Sequence, residues 1–540
     1  MPARYAFFGD FMKRFYNHVK NTLLPCLGFS VLTGVISAIF ITAFKIAVEK
    51  VVELSGHAYG AVRENPVWIP VLIVGAAALG LASSFLLTLS RSCRGGGIPT
   101  SVAAIRGVVS FKWQRCIPIL PISSLITYLC GVPLGTEGPC VQLGTAIGDG
   151  VVDCFGKRHK SWRRYIMTGG ASAGFSIATA SPITAIIFSM EELHKHFSPL
   201  LLTVASVSVL SAQTTVQILA ECGIGSVGLF HIGNLASIDA KYLFAPVLIG
   251  LACGLASILF TKCYHLVDGV MRFILKKCSI KLLFPILFAL TAVVGFFFAE
   301  SLGTGHGLTD HIFEVRSAWY LLLLIFLVRM LGMTVTNTAG VTGGVFLPTI
   351  SFGALVGALM AEGMIALGWI GEEKYLLMVV LGIAAFLGAT SRIPLTAAVF
   401  AVEALGGIYN ILPIIIAVAV SLIVAEASGI EDFTDTVIES KMRSITNGKP
   451  TVINVSLTVK DGSFAVGKEI RDTLLPHSCV LVSYETASEH HHGHAFMAGD
   501  VLTVRYETYN PRATRDELIS LVGEQSDEVC ALMMSGTVKK

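Results

Sequence analysis

The sequence predicts an all-α polytopic membrane protein with broken helices in an inverted, duplicated plan, followed by a small α+β domain at the C-terminus. Three observations predict this class. Hydrophobic residues make up 54% of the 540 and charged residues only 14%, with a mean hydropathy of +0.72, whereas an ordinary soluble domain carries about 25% charged residues. Two stretches of the apolar part recur further along the chain at nearly one offset. After about Lys441 the sequence turns polar and alternating, over a length of roughly 90–100 residues that suits one small domain.

In chain order, residues 1–22 carry Arg4, Lys13, Arg14 and Lys20 among aromatic residues and lack a small-residue cleavage site after an apolar core. They read as an amphipathic cytoplasmic helix rather than a signal peptide. Residues 23–445 form the expected membrane domain, with repeats at about 24–220 and 240–430. Spans of crossing length are expected at about 24–47, 68–90, 242–266, 282–300, 318–336, 375–390 and 410–427, since about 20 apolar residues cross the hydrocarbon core. Between them lie shorter pieces broken by Gly and Pro, at 96–109, 138–155, 182–193, 344–360 and 394–405. Such pieces are tolerated in a membrane only when buried in protein or lining a polar cavity.

Lys157, Arg158, Lys160, Arg163 and Arg164 form one basic loop and Arg272, Lys276, Lys277 and Lys281 another, while 221–238 and 297–315 lack Lys and Arg. By the positive-inside rule the basic loops, and with them both termini, are expected to be cytoplasmic. The scattered cysteines have no zinc-like or disulfide-like spacing and read as packing residues. The net charge of +3 decides nothing by itself, and neither a nucleic-acid partner nor an enzymatic activity is expected.

The most informative residue is Glu137, in Gly135-Thr136-Glu137-Gly138-Pro139 after the apolar run Cys116–Val132. A carboxylate at membrane depth is costly and marks an ion or proton pathway by default. The helix breakers beside it suggest a chain interrupted within the membrane, where backbone N–H groups at a helix N-terminus face an anion.

The repeat supports a transporter. Pro182 aligns with Pro394, 212 positions on, and the same offset pairs Ala173 with Ala385, Thr184 with Thr396, Ala185 with Ala397, Phe188 with Phe400, Glu191 with Glu403 and Leu193 with Leu405. An offset of 209 pairs Gly135 with Gly344, Pro139 with Pro348, Gly144 with Gly353 and Gly148 with Gly357. Duplicated halves with broken helices in matching positions point to a site at the repeat interface. The carboxylates break the symmetry, since Glu137 matches Phe346 and Glu192 matches Ala404.

Gly95-Gly96-Gly97-Ile98-Pro99, Gly135-Thr136-Glu137-Gly138-Pro139 and Gly344-Val345-Phe346-Leu347-Pro348, in this order and spacing, resemble the three anion-site motifs of the CLC chloride channel and transporter family over about residues 25–445. The resemblance implies a homodimer with one anion pathway per subunit, chloride in the pathway and no cofactor. Its chloride-site positions match Gly96, Gly97, Ile98, Pro99, Gly138, Val345, Phe346 and Thr434. It makes Glu137 the outer gate, displaced by protonation, and Glu192 the internal proton acceptor of the family's exchangers, with Glu191 structural because its twin Glu403 survives. Two positions depart from the family pattern: Gly96 stands where a serine is usual, and Thr434 where a tyrosine constricts the inner end. The resemblance therefore implies a chloride/proton antiporter with looser coupling or relaxed anion selectivity. A passive chloride channel is the alternative, and a receptor-like sensor is disfavoured by the intact Glu137. Ile98-Pro99 and Phe346 weigh against a fluoride exporter.

Residues 450–540 are expected as strands at 451–461, 479–484 and 501–506, a turn and short helix over 462–475, and a helix over 515–522. The runs Asp461–Asp472, Leu475-Pro476, Cys479–Ser483 and Gly499–Leu502 resemble the TrkA C-terminal regulatory domain, related to RCK modules of bacterial ion transporters. That implies a ligand-sensing or dimerising module and a prokaryotic plasma membrane. His490, His491, His492 and His494 are a weak candidate for metal or proton sensing, against the simpler reading of a solvated hairpin tip.

Overall fold

The computed structural model describes residues 24–527 except 96, 110–111, 156–159, 226–227, 229, 231, 233–234, 446–450, 477–478, 487–494 and 509–510. The expected N-terminal helix (1–22), Gly96 and the four histidines lie outside the described residues.

The membrane part runs α1 (Leu24–Glu64), α2 (Ile69–Leu89), α3 (Ile98–Ile105), α4 (Trp113–Leu129), α5 (Glu137–Phe155), α6 (Arg163–Thr179), α7 (Pro182–Phe188), α8 (Pro199–Glu221), α9 (Phe244–Lys277), α10 (Ile280–Phe297), α11 (His306–Glu314), α12 (Trp319–Ala339), α13 (Phe346–Ala366), α14 (Tyr375–Ser391), α15 (Pro394–Glu403), α16 (Ile411–Ala427) and α17 (Phe433–Ile445). Among the described residues, nine helices are long and apolar enough to cross a membrane. The expected spans are all helical, but two run longer. The 41 residues of α1 and the 34 of α9, at about 1.5 Å per residue, exceed a hydrocarbon core of about 30 Å and carry their charged ends past it. Helix α13, expected as a shorter broken piece at 344–360, is among the nine, and so is α8, which was not expected as a span. Its Thr203, Ser206, Ser208, Ser211, Gln213, Thr214 and Thr215 dilute the apolar signal, and several of them bond backbone carbonyls: Ser208 to Ser30 O at 3.2 Å and Gln213 to Ser176 O at 2.9 Å.

The two halves repeat in three dimensions. Helix α5 packs along α6 as α13 packs along α14, and glycines let the backbones touch. A Cβ on Gly144 would lie 2.0 Å from Gly170 O, and one on Gly382 would lie 2.4 Å from Gly353 O. Gly144 and Gly353 are repeat equivalents, as are Gly170 and Gly382, so the same small-residue contact is made twice. At the symmetry centre Gly135 and Gly344 exchange both backbone hydrogen bonds at 2.7 Å in an antiparallel bridge.

The glutamate twins are reciprocal. Glu191 accepts from Leu395 N at 3.0 Å, Thr396 N at 2.7 Å and Thr396 Oγ1 at 2.7 Å. Glu403 accepts from Ile183 N at 2.9 Å, Thr184 N at 2.8 Å and Thr184 Oγ1 at 2.7 Å. Each carboxylate thus caps the N-terminus of the other half's short proline-led helix, where orphan N–H groups and the helix dipole favour negative charge. Even the backbone irregularity is duplicated: Ala180 and Arg392, 212 positions apart, are left-handed, with φ of 53° and 57°, just before those two helices.

The C-terminal region forms β1 (Thr451–Val459), β2 (Cys479–Glu485), β3 (Val501–Thr508), α18 (Pro511–Val522) and β4 (Gly523–Asp527). The strands make one antiparallel sheet in the order β2-β3-β1-β4. The three expected strands are present, β4 was not foreseen, and the short helix expected within 462–475 is a single turn at Ile470–Asp472. Alternate residues Val455, Leu457, Val459, Leu502 and Val504 pack on Leu518 and Leu521 of α18, as a half-buried sheet requires. This unit rests on the membrane part. Arg164 donates to Leu475 O at 2.8 Å and pairs with Glu517 at 2.6 Å, while Ser198, the N-cap of α8, donates to Asp472 Oδ1 at 2.6 Å. The Phe464 ring sits 5.2 Å from Trp162 and 5.5 Å from Tyr165.

Candidate functional site

Three helix N-termini meet where the sequence motifs place them. Helices α3, α5 and α13 begin at Ile98, Glu137 and Phe346, and the glycines that precede or open them touch. A Cβ on Gly138 would lie 2.6 Å from Gly344 Cα and 3.0 Å from Gly97 Cα. Gly97 itself has φ 127°, a region that side chains disfavour. The first N–H groups of each helix lack intrahelical acceptors, and each terminus carries about half a positive charge. Three such termini attract an anion without a full cation that would hold it too tightly to leave.

Of the chloride-site residues expected from sequence, Gly97, Ile98, Pro99, Gly138, Val345 and Phe346 lie at these tips, Gly96 lies outside the described residues, and Thr434 is placed by its hydroxyl bond to Glu192. The Gly97 N–H is already committed, donating to Gln142 Oε1 at 2.8 Å, and Gln142 Nε2 donates to Ser92 O at 3.0 Å. Gln142 was not singled out from the sequence. Its place in α5, one and a half turns past Glu137, is the only cue there was. The first motif is further fixed by Gly95 N to Gly340 O at 2.9 Å and Thr342 Oγ1 to Cys93 O at 3.1 Å. The buried Phe346 ring packs edge-on against Phe175 at 4.9 Å and Phe400 at 5.7 Å, an apolar wall where its repeat partner is the acidic Glu137.

Glu137 is fully buried as the first residue of α5. Its Oε1 accepts from Thr136 Oγ1 at 3.1 Å, and Oε2 makes no hydrogen bond among the described residues. A cavity of about 490 Å³ lies beside it, lined among others by Thr136, Leu347, Lys45, Thr304 and His306. A fully buried carboxylate with one oxygen left without a hydrogen bond is costly to keep charged.

Glu192 is buried on a π-helical turn, Ser189–His194, that continues α7. The second half has no counterpart to this turn, since α15 stays α-helical to Glu403. π-turns occur often at functional sites, and this one carries the second carboxylate without a twin in the other repeat, where Ala404 stands. Glu192 Oε1 accepts the Thr434 hydroxyl, and Oε2 has no hydrogen bond among the described residues. Around it, Arg106 donates to Glu192 O and Leu193 O at 3.0 Å and pairs with Asp435 at 3.4 Å, while Lys195 pairs with Asp432 at 2.5 Å and Asp435 at 2.6 Å. The sequence did not reveal this network, because its three segments, at Arg106, at Glu192–Lys195 and at Asp432–Asp435, lie more than 80 residues apart. Among the described residues no cluster of three or more His, Cys, Asp or Glu could hold a metal ion.

Helix N-termini that meet tip to tip inside an apolar bundle across an internal two-fold, with one buried carboxylate at the tips and another on a π-turn, define a membrane transport protein with its ion site at the repeat interface. The voltage gated chloride channel family matches residues 75–426, and the chain belongs to that family. It is 28% identical over 434 residues to the H(+)/Cl(-) exchange transporter ClcA of Citrobacter koseri, covering 78% of this chain and 89% of that protein. Its fold is similar to that of a slow cyanobacterial Cl-/H+ antiporter (TM-score 0.72, 22% identity, 78% of this chain and 98% of that one). It is also similar to a CLC-type fluoride/proton antiporter (TM-score 0.63, 20% identity, 75% of this chain and 96% of that one).

Proposed function

We propose that the chain exchanges chloride for protons across a membrane. The observation that carries this reading is the pairing of a buried carboxylate with an idle oxygen at the converging helix tips (Glu137) with a second such carboxylate on the π-turn (Glu192). A pore for anions alone has no use for the second, which costs several kcal/mol to bury if charged. Glu137 competes with chloride for the helix tips and leaves on protonation. Glu192 takes up protons from the other side. Backbone N–H groups at Gly138, Val345 and Phe346 supply the anion site, with the segment Gly96–Pro99 as its third wall. No cofactor takes part.

The relatives named as exchangers and antiporters support this reading over that of a passive channel. The family resemblance supports a homodimer, the basic loops support cytoplasmic termini, and the bacterial relative supports a prokaryotic plasma membrane. The boundaries proposed are 1–22 for the N-terminal helix, 23–445 for the transport domain and 450–540 for a TrkA-C-like regulatory domain. Gly96 offers no hydroxyl to the anion, and a threonine is shorter than a tyrosine. The central site is therefore weak and coupling loose.

In liposomes with an outward chloride gradient, the wild type is expected to take up protons against their gradient. Glu137→Gln and Glu192→Gln are each expected to lose that uptake by at least about tenfold, the scale of removing a proton-transfer group. Proton uptake unchanged in both variants would overturn the exchange reading, and a fixed integer stoichiometry with sharp chloride preference would overturn the loose coupling.

A further inference from the structure

We propose that Thr434 is the positioning residue for the proton carried by Glu192: its hydroxyl holds the buried carboxyl group in place and sets the pH at which it loads. This rests on the reading of Glu192 as the internal proton acceptor.

The contact is made between two buried groups, Glu192 and Thr434, 2% and 4% exposed. Among the described residues the Thr434 hydroxyl is the sole hydrogen-bond partner of the Glu192 carboxyl, donating to Oε1 while Oε2 stays without one. A hydroxyl suits a proton carrier's neighbour, because it donates to the carboxylate and, after rotating, accepts from the protonated acid. A burial site with no such group would leave the charged form unsupported.

The surroundings hold the two side chains together. Thr434 is the second residue of α17, whose start is capped by Asp432, with Asp435 N to Asp432 Oδ1 at 2.7 Å. Phe433 anchors the same turn against Tyr264 at 4.8 Å and Phe260 at 5.2 Å. Lys195, three residues past Glu192, bridges Asp432 and Asp435 on either side of Thr434, and Arg106 of the segment after α3 ties Asp435 to the carbonyls of Glu192 and Leu193. Charged groups thus surround Glu192 from three directions: Arg106 after α3; Lys195 just past its own turn; and Asp432, before α17, with Asp435 on it. Their positions are fixed by one another, so deleting the Thr434 hydroxyl removes a single bond without dismantling the pocket.

The sign of the effect follows. A donor to the carboxylate favours the charged form, so its loss raises the proton affinity of Glu192. The pH midpoint of proton flux should rise by roughly half to one unit, the scale of losing one net hydrogen bond. The test is full-length protein in liposomes, with chloride and proton fluxes recorded together from pH 4.5 to 8 for the wild type, Thr434→Val, Thr434→Ala, Thr434→Ser and Glu192→Gln.

Expected are a proton-to-chloride ratio lowered about threefold or more and an alkaline-shifted midpoint in both Thr434→Val and Thr434→Ala, with Thr434→Ser restoring both. Two results overturn the proposal. One is an unchanged ratio and midpoint in Thr434→Val and Thr434→Ala while Glu192→Gln loses proton flux, which leaves the role of Glu192 standing. The other is intact proton flux in Glu192→Gln, which removes the role of Glu192 itself.

Discussion

At the scale of single residues the site is a set of polar groups left deliberately incomplete. Glu137 and Glu192 each keep one oxygen without a hydrogen bond among the described residues, whereas Glu191 and Glu403 spend both oxygens on helix caps. That difference separates incompletely bonded carboxyl groups from structural ones. It makes opposite predictions for the neighbouring glutamates. Glu191→Gln loses charge-assisted bonds worth about 1.5–3 kcal/mol each and lowers the thermal unfolding temperature in detergent. Glu192→Gln, with a single hydroxyl partner, leaves that temperature close to the wild type while removing proton flux. Equal thermal losses in the two variants would contradict the assignment. The sequence showed which glutamates had twins, and so which were structural. It did not show that Gln142 occupies the Gly97 N–H, because a side chain that reaches 45 residues back leaves no local pattern.

At the scale of elements, the internal two-fold explains why short helices survive in an apolar surround. Helices α7 and α15 are too short to cross a membrane, and their N-terminal N–H groups would be orphaned without the carboxylate supplied by the opposite half. Glu403→Gln is therefore expected to lower stability by about as much as Glu191→Gln, a pairing that thermal scanning of the two variants and their double mutant can check. The glycine contacts are stricter. In Gly144→Ala the new methyl would meet Gly170 O at 2.0 Å, so that variant should fail to give a monodisperse peak in size-exclusion chromatography, whereas Gly28→Ala, with nothing within 4 Å, should behave as wild type. Glycine–proline motifs and offsets made these elements readable from sequence. Two features escaped it. Helix α8 carries too many hydroxyls to look like a span, and the π-turn at Ser189–His194 is specified by its neighbours rather than by a local signal.

At the scale of the whole molecule, the C-terminal α+β unit presses on both flanks of the turn that carries Glu192: on Arg164 and Tyr165 at the start of α6 and on Ser198 at the start of α8. Lys468 lies within that contact, with its ammonium 3.7 Å from the Phe464 ring centroid and 5.9 Å from that of Trp162. Burial lowers it from 10.5 to about 8, against the opposing pull of Asp472. Between about pH 8 and 10.5 the unfolded chain therefore binds more protons than the folded one, and stability rises with pH across that window. Below about pH 8 the cost of burying the charge is present in full. Lys468→Met should raise the unfolding temperature of the contact at pH 7 and flatten its rise above pH 8, as differential scanning fluorimetry would show. The alternating strands made this unit legible in sequence, but its seat on the membrane part joins residues some 300 positions apart and was not. The central claim concerns the transport part, and its most direct test is the reversal potential of the purified protein in a planar bilayer under separate chloride and pH gradients. Coupled exchange predicts a potential that moves with both gradients and returns to the chloride equilibrium potential in Glu192→Gln. A wild-type potential that stays at the chloride equilibrium value whatever the pH gradient would contradict it.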